Sequence, residues 1–213
     1  MQRSFDDNTF VVVDLETTGI SQFDRVCEIG MTKIINGEII DRFESLINPE
    51  LSITNTRFHG IKNWMVKDAP LFEDIAPMII EFMKDSVLIA HNAPFDTRFL
   101  RYELKRLGAD LCHYALCTLK IGRRLHPEFA SHRLDYMLNE YDIINDCPHR
   151  AGEDALSGAR LFLEMKNELE ANGMATIKSL GNWGLPYNYR WCDEIHVSNS
   201  TGKTALLTRD DLK

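Results

Sequence analysis

The chain of 213 residues lacks the segments that would place it in a membrane or a secretory pathway. No apolar run approaches the roughly 20 residues that a membrane-spanning helix requires. Residues 1–7 contain no apolar stretch of the kind found in signal peptides, and the sequence has no internal repeats. We therefore expect a cytoplasmic protein with no membrane partner. Its length suggests one domain over residues 1–173 and a C-terminal appendage over residues 174–213.

Cysteine is scarce, and its pattern argues against a disulfide framework. The five cysteines are odd in number and form no C-x-x-C pair, which indicates reduced thiols. Cys112 and Cys117, with His126 and His132, superficially suggest a zinc site. The gap between Cys117 and His126 is too short for the usual zinc finger, and apolar helix signals occupy the region. We therefore do not expect zinc.

Basic residues are fewer than acidic residues. With 24 Lys and Arg against 32 Asp and Glu, the formal net charge is −8. This balance argues against a protein that coats duplex DNA, but not against an enzyme whose bound metals supply positive charge. Residues 97–133 are an exception, because eight basic residues there face three acidic ones, a local balance of +5. They form either solvated helix faces or a rim that contacts a nucleic-acid backbone.

The most informative stretch is an apolar strand that ends in two carboxylates. Residues 10–13 are apolar and mostly β-branched, which predicts a buried strand. Asp14 and Glu16 follow at i and i+2, so both side chains point to the same face. Two carboxylates in a desolvated place repel each other, and a divalent cation such as Mg²⁺ or Mn²⁺ would remove that cost. Taken alone, the pair is also compatible with solvated turn residues.

Two further junctions between elements carry candidate functional residues. An apolar strand over residues 86–90 leads into a helix that Asn92 could cap and that continues to about Leu107, with Asp96 in its first turn. His149 lies just before a long helix over residues 151–171, and Asp154 lies in the first turn of that helix. A histidine beside a metal-bound water is a candidate general base. Asp96 alone could equally complement the helix dipole.

The remaining pattern predicts a mixed α/β fold. Two strands are expected over residues 25–35 and 38–47, joined at Asn36-Gly37, which is a strong hairpin signal. Other elements are expected as a helix over 74–83, a strand over 114–117 and helices over 118–125 and 134–140.

Three motifs together resemble the DEDD exonuclease superfamily, in its histidine-bearing branch, which includes the proofreading subunit of bacterial replicative DNA polymerase. They are VVVDLETTG over 11–19, HNAPFDTRFL over 91–100 and HRAGEDAL over 149–156. Four residues separate His149 from Asp154, as in the histidine branch. HGI at 59–61, CTL at 117–119 and HRLD at 132–135 also match, and the resemblance covers about residues 8–171. The Gly-Glu pair at 152–153 is a mild departure.

This resemblance implies a ribonuclease H-like fold, a mixed β-sheet with helices on both faces. It also implies hydrolysis of single-stranded or frayed DNA ends from 3′ to 5′, releasing nucleoside 5′-monophosphates. Two divalent ions, Mg²⁺ or Mn²⁺, would assist. Asp14, Glu16 and Asp154 would hold one ion, with Asp14 bridging to a second ion that Asp96 supports, and His149 would be the general base.

By the same resemblance, Thr17, Thr18 and Gly19 would contact the terminal nucleotide, while Ile20, His59 and Phe95 would wedge or stack against its base. His59 could instead be a loop or core histidine, and Phe95 a core aromatic. The expected partners are 3′ ends of single-stranded nucleic acid, DNA rather than RNA, and a DNA polymerase. Two alternatives stay open: an RNA-trimming enzyme like ribonuclease T, and a non-catalytic module that binds nucleic-acid ends or docks on a polymerase.

Overall fold

The strand that carries Asp14 and Glu16 lies near the middle of a mixed β-sheet. The computed structural model describes residues 4–109, 113–183, 185, 187–188, 195–198 and 204–207. Its strands are β1 (Thr9–Thr17), β2 (Val26–Ile35), β3 (Glu38–Leu46), β4 (Ser86–Ala90), β5 (Tyr114–Cys117), β6 (Tyr187–Asn188), β7 (Ile195–Ser198) and β8 (Thr204–Leu207). The main sheet has the order β3-β2-β1-β4-β5-β6, and β7 pairs with β8.

Strand directions give the sheet its mixed character. β1 runs antiparallel to β2 and parallel to β4, while β2 and β3 are antiparallel and β4 and β5 are parallel. β6 adds to β5 in the antiparallel sense. The five strands in the order 3-2-1-4-5 form the ribonuclease H-like sheet that the sequence predicts, so the fold prediction is confirmed.

The helices follow the predicted order closely. They are α1 (Thr56–His59), α2 (Asn63–Val66), α3 (Phe72–Met83), α4 (Ala93–Arg106), α5 (Thr118–Leu125), α6 (Leu134–Glu140), α7 (Ala151–Ala171) and a 3₁₀ helix (Ile177–Trp183). The long helix α7 packs on β1 and β2, where its Phe162 ring lies 4.9 Å from the ring of Phe10. None of the described helices combines the length and the apolar character needed to cross a membrane.

Both faces of β1 are buried, which explains its nearly continuous apolar sequence. Phe10 and Val12 face α7, and by strand alternation Asp14 and Glu16 continue along that same face. Val11, Val13 and Leu15 alternate with them and are also buried in the core. The strand therefore delivers its two carboxylates toward the beginning of α7.

Local backbone geometry confirms one turn prediction and corrects one capping prediction. Asn36 and Gly37 have φ of 52° and 77°, as a tight turn between two antiparallel strands requires. Asn92 precedes α4, but its side chain makes no capping hydrogen bond, so that prediction is wrong. Its φ of 80° instead lets its carbonyl accept the N–H of Phe95, at 2.8 Å.

Residues beyond α7 contact the main fold. The N–H of Phe5 donates to the carbonyl of Ala175 at 3.1 Å, and Ile177, Leu180 and Leu185 are buried in the main core. The division into residues 1–173 and 174–213 stays a prediction. Much of the proposed appendage, namely residues 184, 186, 189–194, 199–203 and 208–213, lies outside the described residues.

A glycine on β2 allows α7 to begin very close to the sheet. A Cβ atom built on Gly30 would overlap the main chain of Ala151 and Gly152, which cannot move aside as a flexible side chain would. We expect Gly30→Ala to lower the free energy of unfolding by about 1–3 kcal/mol. Thermal unfolding measures this loss as roughly 2–4 °C for each kcal/mol.

Gly181→Ala is the matched control for this substitution. A Cβ atom at Gly181 would meet nothing within 4 Å, so its melting temperature should stay near that of the wild type. Equal stability of the Gly30 and Gly181 variants would contradict the close approach of β2 and α7.

Candidate active site

A cavity of about 820 Å³ opens at the end of β1 and collects all five predicted catalytic residues. Asp14, Glu16, Asp96, His149 and Asp154 all contribute to its wall. They come from β1, from the first turn of α4 and from the beginning of α7, elements that only the folded sheet brings together.

Three of these side chains form a tight group. One ligand atom each from Glu16, His149 and Asp154 can be chosen so that all lie within 4.8 Å of one another. No other set of three or more such side chains with this spacing occurs among the described residues. Asp14 and Asp96 fall outside this group but line the same cavity, and Asp96 is only 3% exposed.

Burial and mutual repulsion make the charged forms of these carboxyl groups unfavourable. Burial, followed by the charges of Asp154 and Glu28, holds the pKa of Asp14 well above its usual range. Burial and then Asp14 raise the pKa of Asp96 in the same way. The pKa of Glu16 rises to about 9, first because the group is buried and then because Asp14, Asp154 and Glu28 repel its charge. A nearby cation would reverse this effect.

Hydrogen bonds fix the position of Asp154. The side-chain amide of Asn145 donates to one carboxylate oxygen at 2.5 Å, and the main-chain N–H of His149 donates to the other at 3.1 Å. The φ of His149 is 64°, which is uncommon for any residue other than glycine. Its side chain is exposed at the cavity wall. Backbone strain of this kind occurs often at functional sites.

A buried ion pair anchors the beginning of α7 to β2. Glu28 is 4% exposed and lies opposite Glu16 in the sheet. It accepts hydrogen bonds from the Arg150 guanidinium at 2.9 and 3.2 Å and from the N–H of Ala151 at 3.0 Å. Because these bonds hold the first residues of α7, they also position Asp154. Sequence analysis missed Glu28, Arg150 and Asn145. The available signal was a single carboxylate at position 28 within an apolar strand.

The predicted nucleotide-contacting threonines use their hydroxyl groups inside the loop between β1 and β2. Thr17 Oγ1 donates to the carbonyl of Gly19 at 2.6 Å, and Thr18 Oγ1 donates to Asp24 at 2.8 Å. Both threonines are buried, and Gly19 lies against the Asp24 carboxylate, where a Cβ would clash. The hydroxyl groups therefore shape the loop that follows the catalytic strand.

The three predicted base-contacting residues differ in exposure. Ile20 is 72% exposed, and its carbonyl accepts a hydrogen bond from Arg98 at 3.3 Å. Phe95 is half-buried, lines the cavity and packs on Phe99 with ring centroids 4.9 Å apart. His59 is buried, does not line the cavity and accepts the N–H of Ile61 on Nδ1 at 3.1 Å. Burial also lowers the pKa of His59.

The residues considered for zinc have other contacts where they are described. His126 Nε2 lies 2.8 Å from Glu168 and 2.9 Å from the Tyr141 hydroxyl, and His132 Nε2 lies 2.8 Å from the carbonyl of His126. Cys117 is buried in β5. Cys112 lies outside the described residues.

A ribonuclease H-like sheet with clustered carboxylates and a histidine at one strand end defines the class of DEDD exonucleases. The family model RNase_T, described as Exonuclease, matches residues 11–162, and the chain belongs to this exonuclease family. The match confirms the resemblance that the three sequence motifs indicate. The chain is thus a member of an enzyme family.

Curated relatives of the chain include bacterial proteins named DNA polymerase III PolC-type. The chain is 38% identical over 179 residues to DNA polymerase III PolC-type of Caldanaerobacter subterraneus subsp. tengcongensis, covering 83% of the chain and 13% of that protein. It is 36% identical over 215 residues to the Bacillus subtilis PolC-type polymerase, covering 96% of the chain and 15% of the relative. The chain therefore spans only about one seventh of the length of these relatives.

Solved structures of exonucleases share the fold. Exonuclease X in complex with 5′ overhanging duplex DNA has a TM-score of 0.64 and 27% identity, covering 78% of this chain and 97% of its own. E. coli Exonuclease I in complex with a dT13 oligonucleotide has a TM-score of 0.71, covering 82% of this chain and 46% of its own. At 16% identity, the second likeness shows the fold alone.

The carboxylate cluster predicts a pH-dependent loss of stability in protein prepared without metal. Because the folded-state pKa of Glu16 lies above its unfolded value, the folded protein holds a proton that the unfolded chain has released. The contribution of Glu16 to the free energy of unfolding is therefore fully present below about pH 4.5 and is lost as the pH rises toward 9. We expect Glu16→Gln in chelator to raise stability at pH 8 by about 1 kcal/mol or more, roughly 2–4 °C, and not at pH 4.

Glu38→Gln is the matched control, because Glu38 is an exposed glutamate at the start of β3. Thermal unfolding of both variants at the two pH values measures the difference. A Glu16 variant that is less stable than the wild type at pH 8 would contradict the predicted repulsion.

Proposed function

We propose that this chain is a metal-dependent 3′-to-5′ exonuclease that removes nucleotides from single-stranded or frayed DNA ends. The convergence of Asp14, Glu16, Asp96 and Asp154 on one cavity, beside His149, carries the proposal. Similarity to PolC-type polymerases favours DNA as the substrate and a proofreading setting, in which a polymerase would be the partner.

The residues present fit divalent metal ions. The donor set consists mainly of carboxylate oxygens, which suit Mg²⁺ or Mn²⁺. Burial, and then repulsion between the carboxylates, raises the pKa values of Asp14, Glu16 and Asp96, and a bound cation would offset both effects. Asp14, Glu16 and Asp154 would hold one ion, and Asp14 and Asp96 a second. Such ions lower the pKa of bound water and stabilise negative charge on phosphoryl oxygens.

His149 would accept the proton of the attacking water. Its side chain is exposed at the cavity wall, near Glu16 and Asp154, and its main chain is fixed by the bond to Asp154. In the proposed reaction, water attacks the terminal phosphodiester and gives a proton to His149. The bond from phosphorus to the 3′ oxygen of the preceding nucleotide breaks with its electron pair on that oxygen, which takes a proton from solvent to become the new 3′-hydroxyl, and a nucleoside 5′-monophosphate leaves.

Substrate contacts would come from the residues around the cavity. Phe95 offers a half-buried ring at the wall, and Ile20 lies exposed on the loop after Gly19, so both are accessible to the terminal base. Thr17, Thr18 and Gly19 would contribute main-chain groups, because the threonine hydroxyls are already bonded. His59 is buried and does not line the cavity, so it would support the site from within the fold rather than stack on the base. Stacking tolerates any base, so little sequence preference is expected.

Loss of a cavity carboxylate should abolish hydrolysis without unfolding the protein. We expect Asp14→Asn or Asp154→Asn to reduce release of 5′-mononucleotides from 3′-tailed DNA by roughly 10²- to 10³-fold or more. Wild-type activity should require Mg²⁺ or Mn²⁺ and stop in chelator. Parallel digestion of matched RNA separates a DNA exonuclease from an RNA-trimming one.

Asp142→Asn is the control for general changes in cavity charge, because Asp142 lines the cavity but is exposed and outside the proposed ligand set. It should retain activity. Folded wild-type protein that releases no mononucleotide from DNA or RNA with either metal would contradict the proposal and favour a non-catalytic module.

The role of His149 is separable from metal binding. We expect His149→Gln to lower kcat by roughly 10²- to 10⁴-fold at saturating metal, which is the usual contribution of a general base. Its melting temperature should change little, because the side chain is exposed. A titration of activity against Mn²⁺ concentration is the measurement. If excess Mn²⁺ restores full activity, His149 is a metal ligand rather than the base.

A further inference from the structure

Residues 51–67 form a stretch of unusual charge and aromatic content, here called the α1–α2 segment. It contains Arg57, Lys62 and Lys67 and no acidic residue, a charge of +3 in a chain of −8, and it is flanked by the acidic residues Glu50 and Asp68. Phe58 and Trp64 alternate with these basic residues. Basic and aromatic side chains in alternation are typical of surfaces that bind single-stranded nucleic acid.

The segment packs by one side and exposes the other. Ile53, Ile61 and Val66 form a buried cluster with Cys27 of β2. The basic and aromatic side chains lie on the opposite, exposed side. Trp64 is 68% exposed and Phe58 is 53% exposed, and the Arg57 guanidinium lies 4.6 Å from the centre of the Phe58 ring. Both rings leave more than half of their surface open to solvent beside basic side chains, so their faces are accessible for stacking on bases.

The segment lies directly beside the candidate active site. The N–H and the hydroxyl of Thr54 both bond to the carbonyl of Thr18, at 3.2 and 2.9 Å, in the loop that follows the catalytic strand. Cys27, which anchors the segment, is the neighbour of Glu28 in β2. The same loop exposes Ile20 and Phe23, at 72% and 75%. A strand leaving the cavity past this loop would therefore meet α1 and α2.

We propose that the exposed side of the α1–α2 segment binds the single strand upstream of the terminal nucleotide. Phe58 and Trp64 stack on bases, while Arg57, Lys62 and Lys67 neutralise phosphates. This inference rests on the proposed function, since it supposes that a 3′ end occupies the cavity. It assigns the upstream contact to a surface different from the basic stretch at residues 97–133.

The basic stretch at 97–133 is a weaker candidate chiefly because its described aromatic side chains are not exposed, since paired cations occur in both places: Lys67 of the α1–α2 segment lies 3.5 Å from Asp68. Arg106 lies 3.3 Å from Glu103, Arg133 lies 3.4 Å from Asp135, and Arg98 bonds to the carbonyl of Ile20. Among the described residues of that stretch, no aromatic side chain is exposed. Charge without stacking surface supplies only part of what single-strand binding requires.

The test measures binding of oligothymidylate of about 12 nucleotides by fluorescence anisotropy, in chelator, over a series of salt concentrations. We expect Trp64→Ala to weaken binding roughly 5- to 100-fold, as the loss of one stacked base predicts. The double variant Lys62→Ala/Lys67→Ala should reduce the slope of log K against log salt by about 1.4, because each phosphate contact contributes about 0.7.

Two controls are matched to these variants. Met78→Ala removes another exposed apolar side chain, 51% exposed on α3, and should leave binding unchanged. Lys105→Ala/Arg124→Ala removes the same charge from exposed positions in the 97–133 stretch and should reduce the salt slope less. If this second pair reduces the salt slope as much or more, the assignment to the α1–α2 segment is wrong. If Trp64→Ala binds the oligonucleotide as tightly as the wild type, the assignment is also wrong, and the exposed surface would then suit a protein partner.

Binding is measured without turnover, so it fails or succeeds independently of the proposed hydrolysis. If the wild type binds the oligonucleotide through Trp64 but hydrolyses nothing, the surface stands and the catalytic proposal falls. In an active enzyme, Trp64→Ala should also raise the ratio of KM on the long strand to KM on a dinucleotide. An unchanged ratio would contradict a contact upstream of the terminal nucleotide.

Discussion

The structure depends on one constraint, which is that carboxyl groups that repel one another are held together in a poorly solvated cavity. Asp14, Glu16 and Asp96 all have raised pKa values because burial and neighbouring negative charge oppose ionisation. Such an arrangement does not stabilise the folded protein. Strongly shifted pKa values in a cavity are typical of functional sites, which indicates that these carboxyl groups have a functional role. Divalent cations would turn the repulsion into ligation, so the same groups that weaken the metal-free protein would complete the site.

The rest of the fold supplies the rigidity that this site requires. β1 is buried on both faces, so its two carboxylates cannot move apart without disturbing the core. The pairing of Glu28 with Arg150 and the absence of a side chain at Gly30 bring the beginning of α7 against β2. Asp154 is then fixed by Asn145 and by the strained His149 main chain. Packing thus compensates locally for unfavourable electrostatics.

Local patterns in the sequence predicted the elements well, because hydrophobic period and turn residues determine them over short distances. The hairpin at Asn36-Gly37 and the bounds of α7 are examples. The candidate site followed from three motifs at strand or helix ends. The supporting contacts could not be predicted in this way, because Glu28 and Arg150 are 122 residues apart and only the folded sheet joins them. The cap at Asn92 failed because the main chain adopts a left-handed conformation there.

Proton release during metal binding tests the central claim most directly. If buried carboxyl groups with raised pKa values hold the metal, Mn²⁺ must displace protons from them as it binds, near pH 8. Calorimetric titration in buffers of different ionisation enthalpy counts these protons. The account predicts saturable binding with net proton release, and a clear reduction of both in Asp14→Asn. Saturable binding without proton release, or binding that Asp14→Asn leaves unchanged, would contradict it.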